Sequence, residues 1–390
     1  MKKHVFIVGS KGIPANYGGY ETFVEYLTKY RKDTDIHYHV ACKSKNKSQN
    51  HCHFVHNNAD CFNIYVPNIG PGQAIYYDVA ALNYSIEYAK VHHILKPIFY
   101  ILACRIGPFM SSIVKRVHAI NGKVYVNPDG HEWMRAKWSV PVRKYWKLSE
   151  RLMVKHADLL ICDSKNIEKY IKSVYKNYKP KTIFIAYGSD VKKSELTDEN
   201  PKVKKWLKKF NIKRKEYYLI VGRFVPENNY ETMIQEFMHS TTKKDLIIIT
   251  NVEHNKFFET LKSHTHFESD ERIKFVGTVY DAELLKKVRE LAFAYIHGHS
   301  VGGTNPSLLE ALASTDINLL YDVGFNREVA QDGALYWGLK KNELSGLINS
   351  VDKLNGARTN ELANNAKLQI KNRYSWQTVI EAYEEYFKGI

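Results

Sequence analysis

The sequence predicts an α/β protein of two open, doubly wound domains. Three observations carry this expectation. Each half opens on a short apolar strand ending in glycine, VFIVG at 5–9 and YYLIVG at 217–222. Each opening leads into alternating apolar runs and amphipathic stretches, the βα pattern of a parallel sheet. A length of 390 residues, 44% of them hydrophobic, exceeds what one small core organises.

Taken in order, residues 4–9 read as a buried strand, followed by the loop Gly9 to Gly19. Phe23, Tyr26, Leu27 and Tyr30 fall at helical spacing and predict a helix over 20–30. Strands are expected at 37–41, 63–66, 123–126, 159–162 and 182–186, and helices at 75–90, 142–157 and 166–175. The first domain is thus expected to span 1–188. The charged stretch 192–216 begins the second, 189–373. There the pattern predicts strand 217–222, helix 229–239, strand 246–250, helix 255–263, strand 273–276, helix 281–289 and strand 292–296. Residues 374–390 read as a terminal helix. Trp376, Val379, Ile380, Tyr383 and Phe387 share one face, so it should dock back on the first domain.

Charge is unevenly divided. Residues 1–188 hold 28 Lys and Arg against 13 Asp and Glu, or +15, whereas 189–390 are nearly balanced at +1. That asymmetry suggests an anionic partner for the first half: nucleic acid, acidic lipid or a phosphorylated substrate. A Lys-rich soluble surface is the plainer reading. Nucleic acid is disfavoured, because the basic residues are not interleaved with an aromatic platform. No secretory leader is expected, since Met1-Lys2-Lys3-His4 runs straight into the first strand. Five cysteines without a CxxC fit a reduced, cytoplasmic setting. Ile94 to Ile120 mixes Phe99, Tyr100, Ile101, Leu102, Phe109 and Met110 with Arg105, Lys115 and Arg116. It reads either as a surface lying on a membrane or as a core helix pair with basic ends, and the basic first half tips it toward the membrane.

The stretch HGHSVGGTNPSLLEAL, 297–312, carries the most chemistry. A strand breaks at Gly298, Gly302 and Gly303, then becomes a helix that Asn305 can cap and Pro306 can start. Strand, glycine turn and helix start offer backbone N–H groups to an anion. Glu310 follows within reach of whatever carries that anion. A tightly packed βα loop would look the same. The first loop, GSKGIPANYGGYET, is neither the dinucleotide fingerprint nor a Walker loop, because Lys11 and Pro14 stand where glycines are needed. Gly18 and Gly19 still precede a helix. Arg223 ends the strand that opens the second domain, where a guanidinium can grip a diphosphate through two bonds.

Together these blocks resemble the family 4 glycosyltransferases, retaining nucleotide-sugar enzymes of the GT-B fold. GSKGIPANYGGYETFVE, NPDGHEWMRAKW, VGRFVPENNYET and HGHSVGGTNPSLLEAL are closest to the bacterial rhamnosyltransferases of capsule and cell-wall polysaccharide synthesis. The resemblance covers the whole chain. It implies two Rossmann-like domains facing a central cleft, and an enzyme that moves rhamnose from a nucleotide diphosphate, dTDP-rhamnose, to a polyprenyl-diphosphate-linked sugar. It also implies a protein peripheral on the inner face of the cell membrane. For the donor it implies Gly18, Gly19, Arg223, Gly302, Gly303, Thr304 and Asn305 at the diphosphate, Glu310 on the nucleotide's sugar, and Thr278 and Tyr280 beside the base. Two departures matter. Asn228 stands where many relatives have Lys, and Gly302 where many have Glu. His297 or His299 could substitute, or a 6-deoxy sugar could need less polar recognition.

Asn127-Pro-Asp-Gly-His-Glu-Trp133 follows a strand of the first domain. It gathers Asp129, His131 and Glu132 as candidates for proton transfer or acceptor orientation, in that order. A turn shaped by Asp129 and Gly130 is the plain alternative. Trp133, Arg135 and Lys137 are candidates for the acceptor. No metal or other cofactor is expected, because Arg223 and helix N-termini can neutralise the leaving group. His51, Cys52, His53, His56 and Cys61 lack paired zinc-ligand spacing and read as a surface hairpin. Asp33-Thr-Asp35 reads as a solvated turn. A GT-B transferase using another nucleotide sugar with a hexosyl donor is the nearest alternative, and a non-catalytic polyanion binder and a phosphorylase remain as rivals, the last lacking an evident cofactor lysine.

Overall fold

The computed structural model describes residues 2–15, 18–135, 138–252 and 255–389. The chain divides into two compact units. One comprises Met1–Met134, Trp138–Gly188 and Trp376–Ile390, the other Arg135–Lys137 and Ser189–Ser375.

The first unit runs β1 (Lys3–Val8), α1 (Gly19–Lys29), β2 (Ile36–Ser44), β3 (His53–His56), β4 (Ala59–Tyr65), α2 (Gln73–Val91), β5 (Ile98–Leu102), α3 (Gly107–His118), β6 (Lys123–Asn127), α4 (Val140–His156), β7 (Leu159–Cys162), α5 (Lys165–Val174) and β8 (Thr182–Phe184). Its sheet has eight strands in the order β3-β4-β2-β1-β5-β6-β7-β8. The β3–β4 hairpin is antiparallel and every other pair is parallel. Helices pack on both faces, so a central strand can be buried along its whole length. In β5, IFYIL, all five residues are buried.

That strand corrects one expectation. Ile94 to Ile120 is neither a membrane surface nor a helix pair. It is a central strand followed by α3, with Phe99, Tyr100, Ile101, Leu102 and Met110 in the core and only Phe109 of the six apolar side chains exposed. A fully buried strand has no alternation, and periodicity cannot tell it from a helix segment. Among the described residues no helix is long and apolar enough to cross a membrane.

The second unit runs α6 (Pro201–Lys209), β9 (Tyr217–Val221), α7 (Tyr230–His239), β10 (Asp245–Ile249), α8 (Lys256–Thr265), β11 (Ile273–Gly277), α9 (Ala282–Leu291), β12 (Ala294–His297), α10 (Pro306–Ser314), β13 (Asn318–Tyr321), α11 (Gly324–Ala330), β14 (Leu335–Trp337), α12 (Glu343–Val351) and α13 (Gly356–Arg373). Its six parallel strands are ordered β11-β10-β9-β12-β13-β14. α6, β13, β14 and the helices after them were not anticipated.

α14 (Trp376–Lys388) begins two residues later than expected, because Tyr374 ends α13 and Ser375 bridges to Ser189. It belongs to the first unit. Val379, Ile380, Tyr383 and Phe387 are buried there, and Trp376 stacks on Tyr26 with ring centroids 4.5 Å apart. The Tyr100 and Tyr383 hydroxyls are hydrogen-bonded at 2.9 Å. Glu384 accepts from the backbone of Lys32 at 2.8 Å and of Asp33 at 3.2 Å. The Asp33 carboxylate pairs with Lys388, so this aspartate secures the terminal helix instead of standing in a solvated turn.

Candidate active site

Open α/β sheets bind ligands outside the carboxyl ends of their strands, where the strand order reverses. In the second unit that point lies between β9 and β12, neighbours from which the chain winds outward in opposite directions. Arg223 leaves the end of β9 and the 298–305 loop leaves the end of β12. Arg223 is exposed. Asn229 donates to the Gly298 carbonyl at 2.8 Å, and Ser300 donates to the Glu227 carbonyl from its amide at 3.0 Å and its hydroxyl at 2.7 Å. These bonds tie the two loops together.

Asn305 caps α10, accepting from the amides of Ser307 at 2.9 Å and Leu308 at 3.4 Å, and Pro306 occupies the first turn. Gly302 has φ +138°, and a Cβ there would meet nothing within 4 Å. The loop backbone is therefore open at this glycine, next to a helix start that carries partial positive charge. Thr304 is buried and Gly303 half-buried. Glu310 lies one turn into α10 with its side chain 45% exposed, held by Arg289 at 2.7 Å. Tyr280 is exposed beyond β11, with Thr278 half-buried before it.

Asn228, His297 and His299, read from the sequence as donor-side positions, are buried in the second unit. The Asn228 amide donates to the Arg223 carbonyl at 2.8 Å and is buried, so it shapes the arginine's loop. His297 and His299 stack with centroids 4.2 Å apart and 10° between planes. They are 1% and 8% exposed. Burial, then the Arg223 guanidinium, pushes the His299 pKa down to about 3. Burial, then His299, holds His297 well below the usual imidazole range. Both are neutral at physiological pH. They stack on each other at the end of β12 and add no charge there.

In the first unit the corresponding reversal lies between β1 and β5. The sequence missed its central charge. Arg105, just past β5, donates to the Gly9 carbonyl at 2.8 Å and to Asp78 at 3.2 Å. Its position after a buried strand is the signal that singled out Arg223, but here it was read as one of the basic residues of a stretch lying on a membrane or ending a core helix pair. Burial lifts the Asp78 carboxyl to about 6 against the pull of Arg105. Gly18 precedes α1 with φ +132°, and a Cβ there would collide with the Glu21 carboxylate, which accepts the Lys11 amide at 2.7 Å. Gly19 is the first residue of α1.

Past β6, Asp129 and His131 both adopt left-handed backbone, with φ of 58° and 48°. That conformation costs a non-glycine residue roughly 1 kcal/mol and clusters at functional sites. Asp129 is half-buried and accepts the Gly130 amide at 2.8 Å, the turn geometry that was its plain alternative. Burial comes first in holding His131 below the ordinary imidazole value, and Lys147 adds to it. Its ring meets Tyr170 edge-on at 4.2 Å. Glu132 accepts the Trp138 indole N–H at 2.9 Å, which places it in scaffolding. Trp133 lies under the Lys147 ammonium at 4.3 Å. Arg135 is half-buried. Lys137 lies outside the described residues.

Residues 202–369 match the family model described as glycosyl transferases group 1, and residues 2–190 match a domain of unknown function (DUF1972). No curated protein matches the chain by sequence. Solved structures share the fold at low identity. Sucrose-phosphate synthase from Thermosynechococcus elongatus is 14% identical with TM-score 0.77, covering 100% of this chain and 99% of that one. Anabaena HepE in complex with UDP is 14% identical with TM-score 0.71, covering 100% of each chain. An E. coli structure titled trehalose-6-phosphate bound with UDP-2-fluoro glucose is 12% identical with TM-score 0.74, covering 100% and 99%. With a group 1 transferase model over its second unit and this architecture along its full length, the chain is a glycosyltransferase of the GT-B fold.

Proposed function

We propose that the enzyme is a retaining transferase that takes rhamnose from a nucleotide diphosphate, dTDP-rhamnose, to a polyprenyl-diphosphate-linked sugar. The observation that carries the donor half is the pairing, at the strand-order reversal, of exposed Arg223 with the open Gly302 loop at the start of α10. Arg223 grips the diphosphate, the amides of Gly302, Gly303 and Thr304 receive its oxygens, and Glu310 binds sugar hydroxyls of the nucleotide. Tyr280 and Thr278 flank the base. The bond from the sugar's anomeric carbon to the diphosphate breaks. The acceptor hydroxyl bonds to the same face of that carbon, and its proton passes to the leaving phosphate. Asp129 and His131 orient the acceptor, with Trp133 and Arg135 beside them. No metal takes part, since Arg223 and the helix start neutralise the leaving group.

Rhamnose rests on two features. Gly302 puts no acid at the position where an acidic side chain would meet sugar hydroxyls, and His297 and His299 at the end of β12 are neutral. A membrane-bound acceptor is supported by α4, where Val140, Lys144, Leu148, Arg151 and Lys155 form one exposed stripe, apolar and basic. A second reading, transfer of glucose from UDP-glucose, is favoured by the similar structures in complex with UDP and with UDP-2-fluoro glucose. The test supplies purified enzyme with a panel of nucleotide sugars and a synthetic lipid-diphosphate sugar, with and without chelator. Rhamnosyl product at undiminished rate in chelator is expected. Transfer from UDP-glucose alone selects the second reading, and loss in chelator overturns the metal-free step.

A further inference from the structure

The register of the first sheet gathers histidines at the end opposite the candidate acceptor turn. His4 on β1 pairs with His37 on β2, and His39 on β2 pairs with Asp60 on β4. Residues two apart on a strand share a face, and partners across a ladder share it too. His4, His37, His39 and Asp60 therefore stand on one face, with His53 of β3 added through the hairpin. Side-chain nitrogens of His37 and His39 and an oxygen of Asp60 lie within 4.8 Å of one another.

We infer that His37, His39 and Asp60 form a binding site for a zinc-type divalent cation that ties β2 to β4. The His39 Nδ1 and Asp60 Oδ2 atoms are already 3.1 Å apart. Two ligands about 2.0–2.2 Å from one zinc ion stand roughly 3 Å or slightly more from each other, so an ion fits on this edge with little movement. His37 reaches the same point from two residues earlier on the strand.

The surroundings have the form of an outer shell around such a site. The other Asp60 oxygen meets His53 Nδ1 at 2.8 Å, and His53 Nε2 meets the Tyr84 hydroxyl at 2.7 Å. The other His39 nitrogen, Nε2, lies 2.8 Å from His4 Nδ1. With an ion on Nδ1, His39 Nε2–H donates to that nitrogen. The site lies at the opposite end of its own sheet from Asp129, so its role is structural and independent of the sugar-transfer reading.

The test is zinc titration of the full-length, untagged enzyme, followed by calorimetry and thermal melting. One Zn²⁺ per chain and a raised melting temperature are expected. His37→Gln and Asp60→Asn should each weaken binding at least tenfold, while His264→Ala, at an exposed histidine of α8, should not. A wild-type measurement covers the case of variants that fail to fold. Imidazole NMR signals of His37 and His39 should shift at one equivalent of Zn²⁺ while that of His264 stays in place. Absence of saturable binding, unchanged binding in both variants, or unmoved His37 and His39 signals would overturn the site.

Discussion

Replacing His299 with glutamine tests the neutral state of this buried imidazole through its dependence on pH. His299 is 8% exposed, and its folded-state pKa is about 3. In an unfolded chain the imidazole titrates near ~6.5. The folded value is the lower one, so the unfolded state binds more protons between these values. The contribution of neutral His299 is complete above about pH 6.5 and is lost as pH falls toward 3. Its full size is on the order of 5 kcal/mol, from a shift of roughly 3.5 units at about 1.4 kcal/mol each. Between pH 7 and pH 5 the loss is about 2 kcal/mol. Urea unfolding of wild type and His299→Gln at both pH values isolates this term, because other titrations cancel in the difference. Wild type should lose about 2 kcal/mol more than the variant on going to pH 5. Equal losses in the two proteins would show that His299 protonates without cost, and that burial beside Arg223 does not set its state.

Arg223→Ala should lower kcat/KM roughly 10²–10³-fold in donor-dependent assays while leaving circular dichroism unchanged; normal turnover would place the diphosphate elsewhere. Glu310→Ala should raise donor KM by about tenfold through lost hydrogen bonds, with little effect on kcat. Asn305→Ala removes the cap of α10 and should cost about 1 kcal/mol in urea unfolding. Trp376→Ala should cost about 3–5 kcal/mol by emptying the contact with Tyr26, and limited proteolysis should then release α14 first.

Much of the α/β architecture was legible because local signals agreed. VFIVG and YYLIVG each lead into glycine and then a helix, and the face of Trp376, Val379, Ile380, Tyr383 and Phe387 foretold burial of α14. Asn305 and Pro306 marked the start of α10 because capping and proline preference act within one turn. Such readings need only neighbours in the chain. β5 was illegible for the converse reason: IFYIL is buried on both faces and carries no period.

What the sequence by itself determined is the βα alternation, the motif blocks and the capped start of α10 after its glycine loop. These follow from periodicity, capping and glycine conformation, all local. Only the tertiary structure decided which strand ends lie side by side. Strand order brought Arg223 beside the 298–305 loop and Arg105 beside Gly9, and the β1–β2–β4 register gathered His4, His37, His39 and Asp60. Register is chosen by the burial of whole strand faces, a property of the packed sheet that no single segment carries.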